Sequence, residues 1–98
     1  MSENRLLVID DEPAICETIE MIAEETGYIV ATTTKGTEFK RLYMEFKPTL
    51  IFLDIIMPKP DGIELLRYLG EQNCRAPIAV ISGYHGSYLN NASLLGEA

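Results

Sequence analysis

The chain has 98 residues, of which 47% are hydrophobic and 23% are charged, a composition typical of one small globular domain. Fifteen acidic residues against eight basic ones give a net charge of −7, which disfavours binding of this domain to nucleic acid or to an anionic membrane surface. The N-terminus lacks the pattern of a secretory signal, and no apolar run approaches the ~20 residues of a membrane span, so we expect a cytoplasmic protein. Cys16 and Cys74 have no metal-ligand spacing and are expected to be free, buried thiols.

Four short apolar runs, each bounded by turn residues, are predicted to be strands of a parallel sheet. Continuous hydrophobic runs of this length are typical of strands that are buried on both faces. In chain order, the strands are predicted over residues 6–9, 28–32, 50–53 and 77–81. Helices are predicted over residues 13–26, 37–46 and 63–69, with a weaker one over residues 88–95. Parallel strands joined by helices require right-handed crossovers, so we predict an open α/β sheet with helices on both faces and the strand order 2-1-3-4.

The predicted helices have start and stop signals and one apolar face each. Asp11 or Glu12 is expected to cap the first helix, Pro13 is at its start, and Gly27 follows its end. The residues expected to face the sheet are Ile15, Ile19, Ile22 and Ala23 in the first helix, Phe39, Leu42, Tyr43 and Phe46 in the second, and Ile63, Leu66 and Leu69 in the third, with Leu65 beside this third face.

Chemically active side chains follow three of the predicted strands at the point where each strand ends. Asp10 and Asp11 follow the first strand, Asp54 follows the third, and Ser82 follows the fourth. These ends meet at one edge of a parallel sheet, where ligands bind in open α/β folds. Three carboxylates suit Mg²⁺, which prefers oxygen ligands. A carboxylate is also able to attack a phosphoryl group as a nucleophile, and a hydroxyl such as that of Ser82 would donate to the phosphoryl oxygens.

Three segments of the chain closely resemble the receiver domain of two-component response regulators. They are Leu6-Leu7-Val8-Ile9-Asp10-Asp11-Glu12-Pro13, then Asp54-Ile55-Ile56-Met57-Pro58-Lys59-Pro60-Asp61-Gly62-Ile63-Glu64-Leu65-Leu66, and then Pro77-Ile78-Ala79-Val80-Ile81-Ser82-Gly83. The order and spacing of these segments match the family over the whole chain, and the Asp-x-x-Met-Pro-x-x-Asp-Gly segment is specific by itself. The resemblance implies a CheY-like, flavodoxin-like fold.

The resemblance also implies a role for each of the residues at this edge of the sheet, which is called the acidic edge below. Asp54 would be the phosphoacceptor and, like Asp11, a ligand of Mg²⁺, whereas Asp10 would act through a coordinated water. The backbone carbonyl of Ile56 would complete the protein ligands, and Ser82 would hydrogen-bond the phosphoryl group. The donor would be a phosphohistidine on a sensor histidine kinase or a phosphotransfer protein. Because the domain would only gain and lose its own phosphoryl group, we expect a signalling switch and not an enzyme in the usual sense.

The chain departs from the family pattern at its C-terminal end. The family has a fifth strand followed by a lysine that pairs with the phosphoacceptor, and no lysine follows Ser82 in this sequence. Lys59 occupies a variable family position and is not assigned that role. We therefore expect residues 1–98 to be a receiver domain that is incomplete at its C-terminus or is completed by a partner. Residues 78–81 would then form an apolar strand edge, so a homodimer or a C-terminal output domain would be a suitable partner.

Other interpretations fit parts of the pattern. Asp10 and Asp11 could serve only as caps of the first helix, and Asp61-Gly62 is interpreted as a structural turn. The missing lysine favours a receiver-like module that no longer switches and serves only for protein association, although the intact acidic cluster opposes this. A phosphatase of the haloacid dehalogenase type would need an Asp-x-Asp pattern after the first strand, which this chain lacks.

Overall fold

The computed structural model describes residues 3–57 and 61–81 and places four parallel strands in one sheet. The strands are β1 (Arg5–Ile9), β2 (Ile29–Thr33), β3 (Leu50–Asp54) and β4 (Ile78–Ile81), and the helices are α1 (Pro13–Glu25), α2 (Gly36–Phe46) and α3 (Gly62–Glu71). The sheet order is β2-β1-β3-β4. The predicted α/β fold and strand order are therefore confirmed. The helix predicted over residues 88–95 and the predicted site residue Ser82 lie outside the described residues.

The strand register brings the ends of β1 and β3 together. Ile9, the last residue of β1, pairs with Leu53 in β3 and with Thr33 in β2. Asp54 at the end of β3 pairs with Ile81 in β4. Since all strands are parallel, the residues that follow β1 and β3 emerge at the same edge of the sheet.

The larger core layer lies between the sheet and helices α2 and α3. Its fully buried residues are Leu7, Ile9, Phe39, Ile51, Leu53, Leu65 and Leu69. The predicted apolar face of α2 is confirmed, because Phe39 is fully buried and Leu42, Tyr43 and Phe46 pack against this layer. Cys74 is a free thiol as expected, but it is only half buried at the border of this layer.

Helix α1 covers the opposite face of the sheet, where it packs on β1 and β2. The buried residues of this second layer are Leu6, Val8, Cys16 and Ala23, with Ile19 partly buried against them. The prediction that Ile15 and Ile22 face the sheet is wrong, since they are 40% and 60% exposed. The face of α1 that contacts the sheet contains Cys16, Ile19 and Ala23. Ile15 and Ile22 each precede a residue of this face by one position, and one position along a helix is a rotation of ~100°, so both lie on the flank of α1.

In α3, the prediction is correct for Leu69, which is fully buried, and for Leu66, which packs against the same layer, but wrong for Ile63, which is 52% exposed. Leu65, expected only beside this face, is fully buried. Leu65 and Leu69 are four residues apart and share the face toward the sheet. Ile63 lies two positions before Leu65, which turns its side chain by ~200° to the solvent side. A hydrophobic residue in the first turn of a helix is therefore not a reliable sign of the buried face.

The ends of α1 differ in part from the prediction. Glu12 occupies the N-cap position, yet its side chain makes no capping hydrogen bond, and the expected cap by Asp11 or Glu12 is wrong in this respect. Pro13 is the first helical residue, as predicted. Gly27 has a φ of 93° and its N–H donates to the Glu24 carbonyl at 3.1 Å, so the predicted glycine at the end of the helix is confirmed.

None of the helices within residues 3–57 and 61–81 combines the length and the hydrophobicity that a membrane crossing requires.

Candidate functional site

Asp10 is held in a turn between β1 and α1. Its N–H donates to the Thr33 carbonyl at 3.3 Å, which extends the β1–β2 pairing by one residue. Its Oδ1 accepts a hydrogen bond from the N–H of Glu12 at 2.9 Å. Asp10 is 7% exposed, whereas Asp11 beside it is exposed. The turn thus keeps one carboxylate of the pair inside the edge of the sheet and directs the other toward solvent.

Asp54 is held by an equivalent turn at the end of β3. Its Oδ1 accepts a hydrogen bond from the N–H of Ile56 at 3.0 Å, and its side chain is 7% exposed like that of Asp10. The N–H of Ile55 donates to the Ile81 carbonyl at 3.0 Å, which ties the segment after β3 to the end of β4. The carboxylate is therefore fixed on a short, well-bonded turn at the sheet edge.

Asp10, Asp11 and Asp54 form one cluster, in which a carboxylate oxygen from each lies within 4.8 Å of the others. The two ion pairs within residues 3–57 and 61–81 join Arg5 to Glu3 and Arg41 to Glu45, so neither one neutralises the cluster. The three side chains that the sequence predicted to converge are therefore brought together by the fold.

Burial and electrostatic repulsion disfavour the charged forms of the two buried carboxylates, those of Asp10 and Asp54. The pKa of Asp54 is raised to about 7, mainly because burial removes water from the carboxylate and also because of the charges of Asp10 and Asp11. Burial is likewise the main cause that raises the pKa of Asp10, with smaller contributions from Asp11 and Glu12. The hydrogen bonds from the Ile56 and Glu12 amides act in the opposite direction and do not cancel this effect.

The cluster fits a hard divalent cation. It offers three carboxylates, which are the ligands that Mg²⁺ binds in proteins, and a cation would offset the repulsion among their charges. Asp11 is the exposed member, and it leaves one side of the cluster open to solvent. Ile56, whose carbonyl was the fourth predicted ligand, is adjacent to the cluster because its N–H bonds Asp54.

Helix α3 begins directly against the peptide of Asp54. Asp61 caps the helix by accepting a hydrogen bond from the Glu64 N–H at 3.0 Å, so its structural interpretation is confirmed. A Cβ atom added at Gly62 would overlap the carbonyl oxygen of Asp54 and the Cα of Ile55. This close approach is a role of Gly62 that its interpretation as a turn residue does not predict.

A second feature that the sequence does not predict is the contact of the Cys16 thiol with the backbone carbonyls of Asp10 and Thr33. The thiol of Cys16 is 3.5 Å from the carbonyl oxygen of Asp10 and 3.7 Å from that of Thr33. Burial, followed by the nearby charge of Asp10, raises the pKa of this thiol, which therefore stays protonated and able to donate. Thr33 is itself buried, and its hydroxyl donates to Oε1 of Glu38 in the first turn of α2 at 2.7 Å. A thiol six residues after an aspartate gives no signal of such a contact in the sequence.

A parallel α/β sheet of order β2-β1-β3-β4 with an acidic cluster at its carboxyl edge defines a CheY-like domain of the flavodoxin type. Residues 6–96 match the response regulator receiver domain family, and the chain belongs to that family. It is thus a receiver domain of the kind found in two-component response regulators.

Known relatives support this assignment. The chain is 37% identical over 78 residues to the alkaline phosphatase synthesis transcriptional regulatory protein PhoP of Bacillus subtilis, which covers 80% of this chain and 32% of PhoP. The chain thus spans about a third of the length of the curated relatives it matches.

Two solved structures of the response regulator TrrA of Thermotoga maritima are also similar. TrrA in complex with Mg²⁺-BeF is 30% identical with a TM-score of 0.76, and the match covers 93% of this chain and 79% of TrrA. TrrA in complex with the histidine kinase ThkA is 32% identical with a TM-score of 0.75, and the match covers 84% of this chain and 71% of TrrA.

Proposed function

We propose that this domain accepts a phosphoryl group on Asp54 from a phosphohistidine, in a reaction that depends on Mg²⁺. The observation that carries the proposal is the convergence of Asp10, Asp11 and Asp54 within 4.8 Å at the end of β1 and β3. The complexes of the relative TrrA with Mg²⁺-BeF and with a histidine kinase support both the cation and the donor. The donor is a sensor histidine kinase or a phosphotransfer protein.

Asp54 is the nucleophile of the cluster. One carboxylate oxygen attacks the phosphorus atom, an O–P bond forms, and the P–N bond of the phosphohistidine breaks with its electron pair returning to the imidazole nitrogen. The Ile56 amide, bonded to Oδ1, fixes the carboxylate for this attack. Hydrolysis of the aspartyl phosphate resets the domain.

Asp10, Asp11 and Asp54 would hold Mg²⁺, with the carbonyl of Ile56 as a further ligand. When bound, Mg²⁺ supplies positive charge that offsets repulsion between the carboxylates and the phosphoryl oxygens. Asp10, which is buried and bonded to Glu12, keeps its carboxylate facing the cluster, while exposed Asp11 leaves the entry side open. Ser82, which follows the end of β4, would donate to the phosphoryl oxygens.

The output is a change in affinity for a partner. Phosphorylation shifts an equilibrium between two states through contacts that differ between them. The partner is a second copy of the domain or an output domain, and nucleic acid is not bound by this domain because of its charge of −7. We place the switch in the cytoplasm, where ATP supplies the phosphoryl group of the kinase.

Phosphorylation can be measured by intact mass after incubation with Mg²⁺ and acetyl phosphate, a small-molecule phosphoryl donor. We expect a single phosphoryl adduct on the wild-type domain and none on Asp54→Asn. Asp61→Asn is the matched control, since Asp61 belongs to the same loop but serves as a helix cap, and it should be modified like the wild type. An adduct on Asp54→Asn, or none on the wild type, contradicts the proposal.

One observation favours a second candidate function, a receiver-like module that binds a partner without switching. Within the described residues, β4 pairs with β3 alone, and Val80 of this strand is 44% exposed. A strand edge with apolar side chains is suited to association with another chain. Absence of the phosphoryl adduct together with a concentration-dependent increase in mass would favour this function.

A further inference from the structure

The thiol of Cys16 lies close to two backbone carbonyl groups, those of Asp10 and Thr33. Cys16, in the first turns of α1, is 4% exposed, and its sulfur is 3.5 Å from the carbonyl oxygen of Asp10. The same sulfur is 3.7 Å from the carbonyl oxygen of Thr33, which also accepts the N–H of Asp10 at 3.3 Å. The thiol therefore lies where the last peptide of β1, the end of β2 and helix α1 come together.

These contacts fix Asp10 on both sides of its Cα. Its N–H is held by Thr33, its carbonyl faces the thiol of Cys16, and its carboxylate accepts the N–H of Glu12. The first and third contacts are made by backbone amides. The Cys16 contact is made by a side chain, so a substitution removes it without changing the carboxylates of the cluster.

We propose that Cys16 is a positioning residue for the cation site, in which its S–H donates to the carbonyl of Asp10 and holds the β1–α1 turn in the orientation that faces Asp10 toward Asp54. This inference rests on the proposed Mg²⁺ site. Outer groups that orient a ligand raise cation affinity because the orientation is fixed before the cation binds. The thiol does not touch the cation and takes no part in the reaction.

The simpler interpretation is that Cys16 is a small apolar side chain that fills space between α1 and the sheet, where it packs with Leu6, Val8 and Ala23. The two interpretations predict opposite orders of Mg²⁺ affinity for two substitutions at Cys16. Cys16→Val keeps an apolar side chain and removes the donor, whereas Cys16→Ser keeps a donor and places a polar group in an apolar layer. If Cys16 only fills space, Mg²⁺ affinity follows stability, and Cys16→Val is both more stable and tighter in Mg²⁺ binding than Cys16→Ser.

The first measurement is Mg²⁺ affinity by titration calorimetry, beside the melting temperature of each metal-free variant. We expect Cys16→Val to bind Mg²⁺ roughly tenfold more weakly than the wild type, the lower end of the range for groups that orient a metal ligand. Cys16→Ser should stay within about twofold of the wild type, although it melts at a lower temperature than Cys16→Val. Cys74→Val is the matched control, because Cys74 is a free thiol that precedes β4, whereas the cluster follows the ends of β1 and β3, and the Mg²⁺ affinity of this variant should not change.

The second measurement uses the metal-free domain and needs no cation. Hydrogen exchange of the Asp10 amide should be faster in Cys16→Val than in Cys16→Ser. Exchange of the Leu7 amide, which reports overall stability, should instead be faster in Cys16→Ser, the less stable variant. Wild-type affinity in Cys16→Val, or an equal loss in both variants, overturns the inference. Failure of the wild type to bind Mg²⁺ would instead overturn the proposed function, and the order of Asp10 exchange would still decide the role of Cys16.

Discussion

Asp54, the proposed phosphoacceptor, is the residue whose charge the fold disfavours most clearly. The pKa of Asp54 is about 7, above the ordinary value of 3.8, so the folded domain binds this proton more tightly than the unfolded chain. The stability that this proton contributes is fully present below the ordinary pKa and is lost as the pH rises through the raised one. Without a cation, the domain should therefore become less stable as the pH approaches neutrality.

Asp54→Asn tests this linkage, because an amide has no proton to lose. We expect the stability advantage of the variant over the metal-free wild type, in free energy of unfolding, to be smallest at about pH 4 and to grow as the pH rises to about 8. Denaturant unfolding in the presence of a chelator measures the difference at each pH. A difference that is constant across this range would mean that the pKa of Asp54 is not raised.

Gly62 acts at the same scale through its size. Gly62→Ala should destabilise the domain by about 1–3 kcal/mol, because the new methyl group would overlap backbone atoms of Asp54 and Ile55 that a side-chain rotation cannot relieve. Gly70→Ala in the same helix is the control, since nothing lies within 4 Å of the position of its new Cβ. Alanine is the better helix former, so the control should be neutral or stabilised by about 0.5–1 kcal/mol. Equal effects in both variants, measured by thermal unfolding, would argue against the close approach.

At the scale of the elements, α3 shows which of its apolar residues stabilise the fold. Leu69→Ala should lower the free energy of unfolding by about 2–5 kcal/mol, because the Leu69 side chain is fully buried in the core layer between α3 and the sheet. Ile63→Ala should change it by less than about 1 kcal/mol, since Ile63 is 52% exposed. Chemical denaturation of the two variants compares a buried with an exposed residue of one helix. A large loss of free energy of unfolding in Ile63→Ala would mean that Ile63 faces the sheet, as the sequence predicts.

The sequence predicts the order and the type of these elements because local signals decide them. The apolar runs that end in Asp10 and Asp54 define two strands and their shared edge without any knowledge of tertiary contacts. The rotation of a helix about its axis is decided by what it packs against, so Ile15 and Ile22 have the spacing of a buried face and still lie on the flank of α1. Cys16 and Gly62 could not be predicted either, since their roles depend on backbone groups that only the fold brings to them.

At the scale of the whole molecule, the acidic edge joins stability to cation binding. β1 and β3 lie side by side in the middle of the sheet, so the repulsion between Asp10 and Asp54 acts on elements that carry much of the core. A cation that binds only the folded state stabilises it by mass action, by about 2.7 kcal/mol at a concentration one hundred times its dissociation constant. For a domain of this size, that corresponds to a rise in melting temperature of roughly 10 °C or more.

We expect Mg²⁺ to raise the melting temperature, and to do so more at about pH 8 than at about pH 6, because protons compete for Asp54 near its pKa of about 7. Differential scanning fluorimetry over a Mg²⁺ series, against NaCl of matched ionic strength, separates specific binding from charge screening. The variant Asp10→Asn/Asp11→Asn should lose most of the Mg²⁺ response and gain stability in its absence, since two repelling charges are removed. A Mg²⁺ response that persists in this variant would place the cation elsewhere on the acidic surface.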